Sequence, residues 1–294
     1  MTADTSSRTT SATSESSVSG SSSPGATATG KISLSRSRQS WTGAGSAAGF
    51  VLRYLAPMRR LLTDMLGNAT DADEAMAILI QHLVKSGYGD HKQGRLRDFL
   101  IRGMRSAARA QVQQVTAQAE TLEAKRKSEA EKAGTPYFPA STTKPTLDLD
   151  IAELQSPKWI AYWRDGLLER AWRALERHQH EARHRVTQGD AASEPDDALN
   201  PSDQDDLVFD VLNVSMHHAG DSPQVLAGRV AGKLGRSVSE AEFRRQLEPA
   251  RVLFAQFLAD EVSHTLDDSD PKRIGGEIKT LGLQKAFEGV RVRP

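Results

Sequence analysis

The chain has 294 residues, of which 38% are hydrophobic and 5% aromatic, with 38 basic side chains, 38 acidic side chains and no cysteine. This length accommodates two modest domains that each bury a core, and the balanced charge identifies no partner by itself. The lack of cysteine excludes disulfides, Cys-ligated zinc and a thiol nucleophile, and it is compatible with a reducing cytoplasm.

The first forty residues are dominated by Ser and Thr and contain hardly any large apolar side chain. Such a segment cannot bury enough surface to offset the entropy lost on ordering, so the sequence predicts a disordered tail. The tail lacks the apolar core of a signal peptide, and no run in the chain approaches the ~20 apolar residues that span a bilayer. We therefore expect a soluble, cytoplasmic protein without a membrane partner.

From Gly49 onward, apolar residues recur at helical spacing in three consecutive stripes. The second stripe follows the run DADE at 71–74, whose carboxylates suit a helix N-terminus. Glycines lie between the stripes, as expected for short turns. The sequence predicts a three-helix domain.

The third of these helices carries a basic stripe. Its basic residues are Lys92, Arg95, Arg97, Arg102, Arg105 and Arg109, and its acid is Asp98. Arg95, Arg102 and Arg109 are seven residues apart and therefore share one face. A basic stripe on a helix is typical of phosphate contacts, although a merely solvated face has the same pattern.

A polar and then Pro-rich stretch follows this helix and is typical of a flexible linker. A second helical block begins after it, with Pro157 in a first turn and Trp159, Trp163 and Leu167 on one face. An acidic stretch, GDAASEPDDALNPSDQDD, separates this helix from the next apolar segment.

The segment 221–262 has the layout of a helix-turn-helix. Ser222 and Pro223 favour a helix start, Gly235 favours its end, and the sequence SEAE at 239–242 is a capping box that starts a longer helix. In such a motif the second helix enters the major groove of DNA, and Arg244 and Arg245 lie in its first turns. Any two antiparallel helices joined by a glycine turn would look similar.

The predicted fold class is therefore all-α: two small helical domains, a linker and a disordered N-terminal tail. The predicted segments are the tail over 1–47, the three-helix domain over 48–115, the linker over 116–157, an inter-domain helix and acidic loop over 158–206, the helix-turn-helix domain over 207–262 and a C-terminal extension over 263–294.

The stretch His180-Glu181-Ala182-Arg183-His184 spells H-E-x-x-H, the signature of zinc metallopeptidases. A peptidase also needs a cleft and a third ligand. The segment is among the most polar in the chain, and we interpret it as a solvated helix end without a metal. A zinc peptidase is the third and weakest hypothesis.

The order of segments resembles sigma-70-type RNA polymerase sigma factors of the extracytoplasmic-function type, in the divergent branch common in planctomycete-like bacteria. The residues 54–87 followed by GRLRDFL at 94–100 are similar to region 2 of that family. WRDGLLERAWRAL at 163–175 resembles its inter-domain helix, and 226–268 looks like its region 4. Ala77-Ile78 stands where the family usually carries Gln-Glu.

This resemblance implies a non-enzymatic transcription initiation protein, without a cofactor, that binds promoter DNA and recruits RNA polymerase core. The implied polymerase-binding residues are Asp71, Asp73 and Glu74. The expected −10 contacts are Arg95, Arg97, Arg102, Arg105 and Arg109, and the expected −35 contacts are Arg244, Arg245 and Arg251. The alternative is a degenerate sigma-fold module for protein interaction or regulation without promoter activity. A regulatory protein partner remains open in both cases.

Overall fold

The computed structural model describes residues 47–86, 94–139, 145–188, 206–268, 270–288 and 290. Within these residues the chain forms α-helices and two short 3-10 helices and no strand, so the predicted all-α class is confirmed. The α-helices are α1 (Ala47–Leu66), α2 (Ala69–Ser86), α3 (Leu96–Ala133), α4 (Pro157–Gln188), α5 (Val208–His217), α6 (Pro223–Leu234), α7 (Glu240–Ser263) and α8 (Pro271–Thr280). The 3-10 helices are Asp150–Ala152 and Gln284–Phe287. The predicted tail, apart from Ala47, and the acidic stretch 189–205 lie outside the described residues.

Helices α1, α2 and α3 pack together as the sequence periodicity predicts. Gly67 adopts φ 73°, a left-handed conformation that glycine favours, and it ends α1. The Asn68 side chain accepts a hydrogen bond from the Asp71 amide at 2.8 Å and donates one to the Asp71 carboxylate at 2.7 Å. This cap places the start of α2 at Ala69.

Helix α3 is longer than the sequence periodicity indicated. It continues to Ala133, through the first half of the predicted linker, and ends at Gly134 with φ 61°. Its buried side chains stop at Gln111. The remainder is rich in Ala, Glu, Lys and Gln, which are strong helix formers, and intrinsic propensity therefore sustains the helix without burial.

The main hydrophobic core contains side chains from both predicted domains. In α4, Trp163 stacks on Tyr54 of α1 with ring centroids 5.2 Å apart, and Trp159 lies against Trp163 at 5.3 Å. The C-terminal half of α7 contributes to the same core through Phe254 and Leu258. Because the apolar face of α7 continues from its first turns into its C-terminal half, it joins the two blocks in one packed body.

A smaller core lies within the C-terminal part of the chain. It is formed by Leu207, Val211, Val214, Leu226, Ala227, Val230, Val238 and Phe243. These residues come from α5, α6, the turn after α6 and the start of α7. The three helices therefore share a small core of their own, and α5 also contributes Val208 and Leu212 to the main core.

No helix in the described ranges is long and apolar enough to cross a membrane.

Candidate nucleic-acid interface

The two helices and the glycine turn predicted within 221–262 are present as α6 and α7. Ser222 caps α6 by accepting a hydrogen bond from the Val225 amide, and Gly235 ends it in the left-handed conformation at φ 65°. Ser239 caps α7 by accepting a hydrogen bond from the Glu242 amide at 3.1 Å. The helix boundaries inferred from these residues are confirmed.

In a capping box the Glu242 carboxylate would accept a hydrogen bond from the Ser239 amide, but here it contacts Arg236. The Glu242 carboxylate accepts a hydrogen bond from the Arg236 Nη1 atom at 3.2 Å, and the Arg236 Nη2 atom donates to Asp206 at 2.8 Å. Arg236 thus ties the turn between α6 and α7 to the residue that precedes α5. The turn is fixed by tertiary ion pairs as well as by local caps.

The three arginines predicted for the −35 side are on the solvent face of α7. Arg244, Arg245 and Arg251 are all exposed, whereas Phe243 and Ala250 on the opposite face are buried. Arg244 pairs with Glu240 one turn earlier at 2.7 Å. Because this pair is exposed, it stabilises the protein little and leaves the guanidinium accessible to a phosphate.

Of the five arginines predicted for the −10 side, three surround one groove. Arg102, Arg105 and Arg109 line a cavity of about 310 Å³ between α3 and the segment that contains Ala152 and Leu154. Arg102 and Arg109 are exposed, and Arg105 is half-buried with its Nη1 atom donating to the Ala152 carbonyl at 3.3 Å. Three guanidinium groups around one concavity form an anion-attracting surface.

Arg97 is not on this surface, and its assignment to DNA contact is corrected here. Its side chain is 1% exposed, its Nε atom donates to Glu277 of α8 at 2.7 Å, and Nη1 donates to the Leu154 carbonyl at 3.0 Å. Arg95 is directed to the same carboxylate, with its Nε atom 2.9 Å from Glu277 Oε2. A buried guanidinium held by a buried carboxylate is unavailable to a phosphate, so Arg97 is a structural residue.

The predicted polymerase-binding acids lie on the first turns of α2. Asp73 pairs with Arg59 of α1, at 2.6 Å from its Nε atom, and the hydrogen bond from that guanidinium is the main reason that the pKa of Asp73 is lowered. Asp71 accepts a hydrogen bond from Gln111 at 3.2 Å. Glu74 is exposed. Asp71 and Asp73 therefore contribute to contacts between helices in addition to facing solvent.

The H-E-x-x-H residues lie near the end of α4. His180, Glu181 and His184 are all exposed, and the two imidazole rings are 6.3 Å apart. Across the described parts of the chain, no three His, Asp or Glu side chains converge in a group that could hold a metal ion. The arrangement gives no support to the peptidase hypothesis.

Sequence analysis missed a cluster of arginines where α1, α4 and α7 meet. The Arg53 Nη2 atom and the Arg170 Nε atom donate to opposite oxygens of Glu261, at 2.6 Å and 2.7 Å. Burial of Glu261 favours its neutral form, but Arg170 and Arg53 outweigh that effect and lower the pKa of the carboxyl group. Arg170 also lies 4.9 Å from the centre of the Tyr54 ring. No local pattern signals this cluster, because its members are separated by more than ninety residues along the chain.

Comparison of the chain with protein-family models, with curated proteins and with solved structures finds no match.

Proposed function

We propose that this protein is a DNA-binding transcription initiation protein of the sigma class, which recruits RNA polymerase core to promoters. The observation that carries the proposal is the pair of helices α6 and α7, which has its own small core, with the exposed Arg244 and Arg245 near the start of the second helix and the exposed Arg251 in its middle. In a helix-turn-helix the N-terminal part of the second helix supplies the contacts to DNA.

The groove around Arg102, Arg105 and Arg109 supports a second contact with nucleic acid. It lies on the first turns of α3, in the segment that resembles sigma region 2. With Arg97 assigned to the core, Arg102 and Arg109 are the leading candidates for phosphate contacts on this side. Arg95 is half-exposed and keeps a contact with Glu277, so we expect it to contribute less.

The proposed polymerase-binding surface is the N-terminal end of α2, with Asp71, Asp73 and Glu74. Glu74 is exposed and Asp73 is held by an exposed arginine, and exposed ion pairs of this kind exchange readily for new partners. Ala77, which stands where the resembled family usually has Gln, is also exposed on this helix, so one of the two substituted positions is at the proposed polymerase-binding surface.

The DNA-binding part of the proposal is tested by fluorescence anisotropy with a labelled DNA duplex at several salt concentrations. The variant Arg244→Gln/Arg245→Gln/Arg251→Gln is expected to bind more weakly and to lower the slope of log K against log salt by about 2–3, since each lost phosphate contact removes about 0.9. A matched control is Lys125→Gln/Arg126→Gln/Lys127→Gln, which removes the same charge from the exposed second half of α3. Equal effects of the two triple variants would refute a specific role for α7.

The alternative function is a helical interaction or regulatory module that keeps the sigma-like segments without promoter activity. Two observations favour it: both blocks share one core, and Arg97 is used within that core. A protein of this kind would bind duplex DNA weakly and without dependence on Arg244, Arg245 or Arg251. The same anisotropy experiment therefore separates the two functions.

A further inference from the structure

A groove of about 950 Å³ runs between α1 and α4, above the Arg53–Glu261–Arg170 ion pairs. The two helices approach closely at its floor, where a Cβ atom on Gly166 would lie 3.5 Å from the Pro57 ring. The groove is distinct from the arginines on α3 and α7 that carry the proposed DNA contacts. One of its lining residues, Arg59, pairs with Asp73 of the proposed polymerase-binding surface, so only the DNA-binding part of the proposed function is independent of the groove.

The groove has an excess of positive charge. Its described lining includes six arginines and three carboxylates. Each carboxylate already has a cationic partner, in the pairs Glu261 with Arg53 and Arg170, Glu169 with Arg173, and Asp64 with Lys158. Arg60 on α1 and Arg177 on α4 are exposed, and no carboxylate in the described ranges pairs with either of them. These two guanidinium groups are available to an external anion.

The groove also has an apolar end. Leu52 on α1 is 73% exposed, and Leu55 and Ala56 extend the apolar surface beside it. From Leu52 to Thr63 the groove follows α1 for about 16 Å at the helical rise of 1.5 Å per residue. A ligand that uses the whole groove must therefore combine apolar side chains with negative charge over roughly three helical turns.

We propose that this groove binds an acidic, amphipathic helical segment of a protein partner. Carboxylates of that segment would pair with Arg60 and Arg177, and its apolar side chains would cover Leu52 and Ala56. Helix-in-groove recognition commonly combines an apolar stripe with charges along its edges. A phosphate ligand alone would use the arginines but would leave the exposed leucine uncovered, so the combined surface favours a peptide.

The proposal is tested with the full chain and a labelled synthetic helical peptide of about three turns, in which leucines recur at helical spacing among glutamates. Fluorescence anisotropy is expected to show saturable binding. The variant Arg60→Glu/Arg177→Glu is expected to weaken it by at least about tenfold, and Leu52→Ser by about tenfold. The control variant Arg126→Glu/Lys127→Glu makes the same charge change on exposed residues of α3 and is expected to change affinity by less than about twofold. Circular dichroism establishes that each variant keeps the helical content of the parent.

Four results would overturn the proposal. The first is the absence of saturable binding of the peptide to the parent chain. The second is equal weakening by the groove variant and the control variant. The third is equally tight binding of a peptide whose leucines are replaced by serine. The fourth is tighter binding of a single-stranded oligonucleotide of the same charge, lost in Arg60→Glu/Arg177→Glu, which would assign the groove to nucleic acid. None of these results affects the test of the α7 arginines, so the two proposals fail separately.

Discussion

The carboxyl group of Asp260 in α7 gives a prediction that connects pH to stability. Burial is the largest influence on this group and raises its pKa from the ordinary 3.8 to about 6, with the negative charge of Glu261 acting in the same direction. The hydrogen bond from Gln256 Nε2 to Asp260 Oδ1, at 2.7 Å, opposes these effects only in part. The folded protein therefore holds this proton more tightly than the unfolded chain does.

The sign of the effect follows from proton linkage. Between the unfolded and the folded pKa, the folded state binds more protons, so the contribution of Asp260 to the free energy of unfolding decreases as pH rises through about 4 to 6. The difference of about two pKa units corresponds to a cost of about 3 kcal/mol at neutral pH, at 1.36 kcal/mol per unit. Well below the unfolded pKa of 3.8 the carboxyl is protonated in both states and this cost is absent.

The substitution Asp260→Asn removes the titrating group and keeps an oxygen that can accept from Gln256. We expect it to raise the free energy of unfolding by up to about 3 kcal/mol at pH 7.5 and by only about 0.5 kcal/mol at pH 4. Urea denaturation monitored by circular dichroism at the two pH values measures this difference. Because each variant is compared with the parent at the same pH, the titration of groups that do not interact with Asp260 cancels.

Glu120→Gln on the exposed second half of α3 serves as the control, and it is expected to change stability by less than about 0.5 kcal/mol at both pH values. Equal stabilisation by Asp260→Asn at pH 4 and pH 7.5 would show that packing, and not ionisation, causes the effect. Destabilisation at pH 7.5 would refute the burial argument altogether.

Three further substitutions test other parts of the structure. Glu261→Gln removes the carboxylate that Arg53 and Arg170 share. Because breaking a buried ion pair leaves uncompensated charge, we expect the free energy of unfolding to fall by about 3–5 kcal/mol in urea titrations at pH 7. A decrease below about 1 kcal/mol would contradict this prediction. Ser239→Ala removes the cap of α7 and should cost about 1 kcal/mol in the same assay, whereas Ser237→Ala, outside the cap, should cost little. Glu181→Gln should leave stability and zinc content unchanged, and stoichiometric zinc in the parent that is bound through the neighbouring histidines would revive the peptidase hypothesis.

Local sequence patterns predicted the helices and caps in the C-terminal unit well. Ser222, Gly235 and Ser239 act on amides and dihedral angles within a few residues of themselves, so their roles can be inferred without a tertiary structure. The length of α3 was underestimated because its second half lacks an apolar stripe, and periodicity alone gives no signal for a helix that depends on propensity.

The role of Arg97 could not be inferred from the sequence. Its partner Glu277 lies 180 residues away, and only packing of α8 against the start of α3 brings the two side chains together. The α1–α4 groove is hidden for the same reason, because its arginines belong to two helices that are distant in sequence. Arg97 and Arg102 have the same side chain and lie in the same basic segment of the sequence. Only the tertiary structure shows that Arg97 is buried and that Arg102 is exposed.

The central claim is that this chain recruits RNA polymerase core to promoters. Its most direct test is a pull-down of the tagged full chain from its own cells, with mass spectrometry of the captured proteins. We expect the β and β′ subunits of RNA polymerase to be recovered with the parent chain. Recovery should fall in the variant Asp71→Asn/Asp73→Asn/Glu74→Gln and stay unchanged in Lys125→Gln/Arg126→Gln/Lys127→Gln. Absence of both subunits from a well-folded parent sample would contradict the claim and would favour the interaction module.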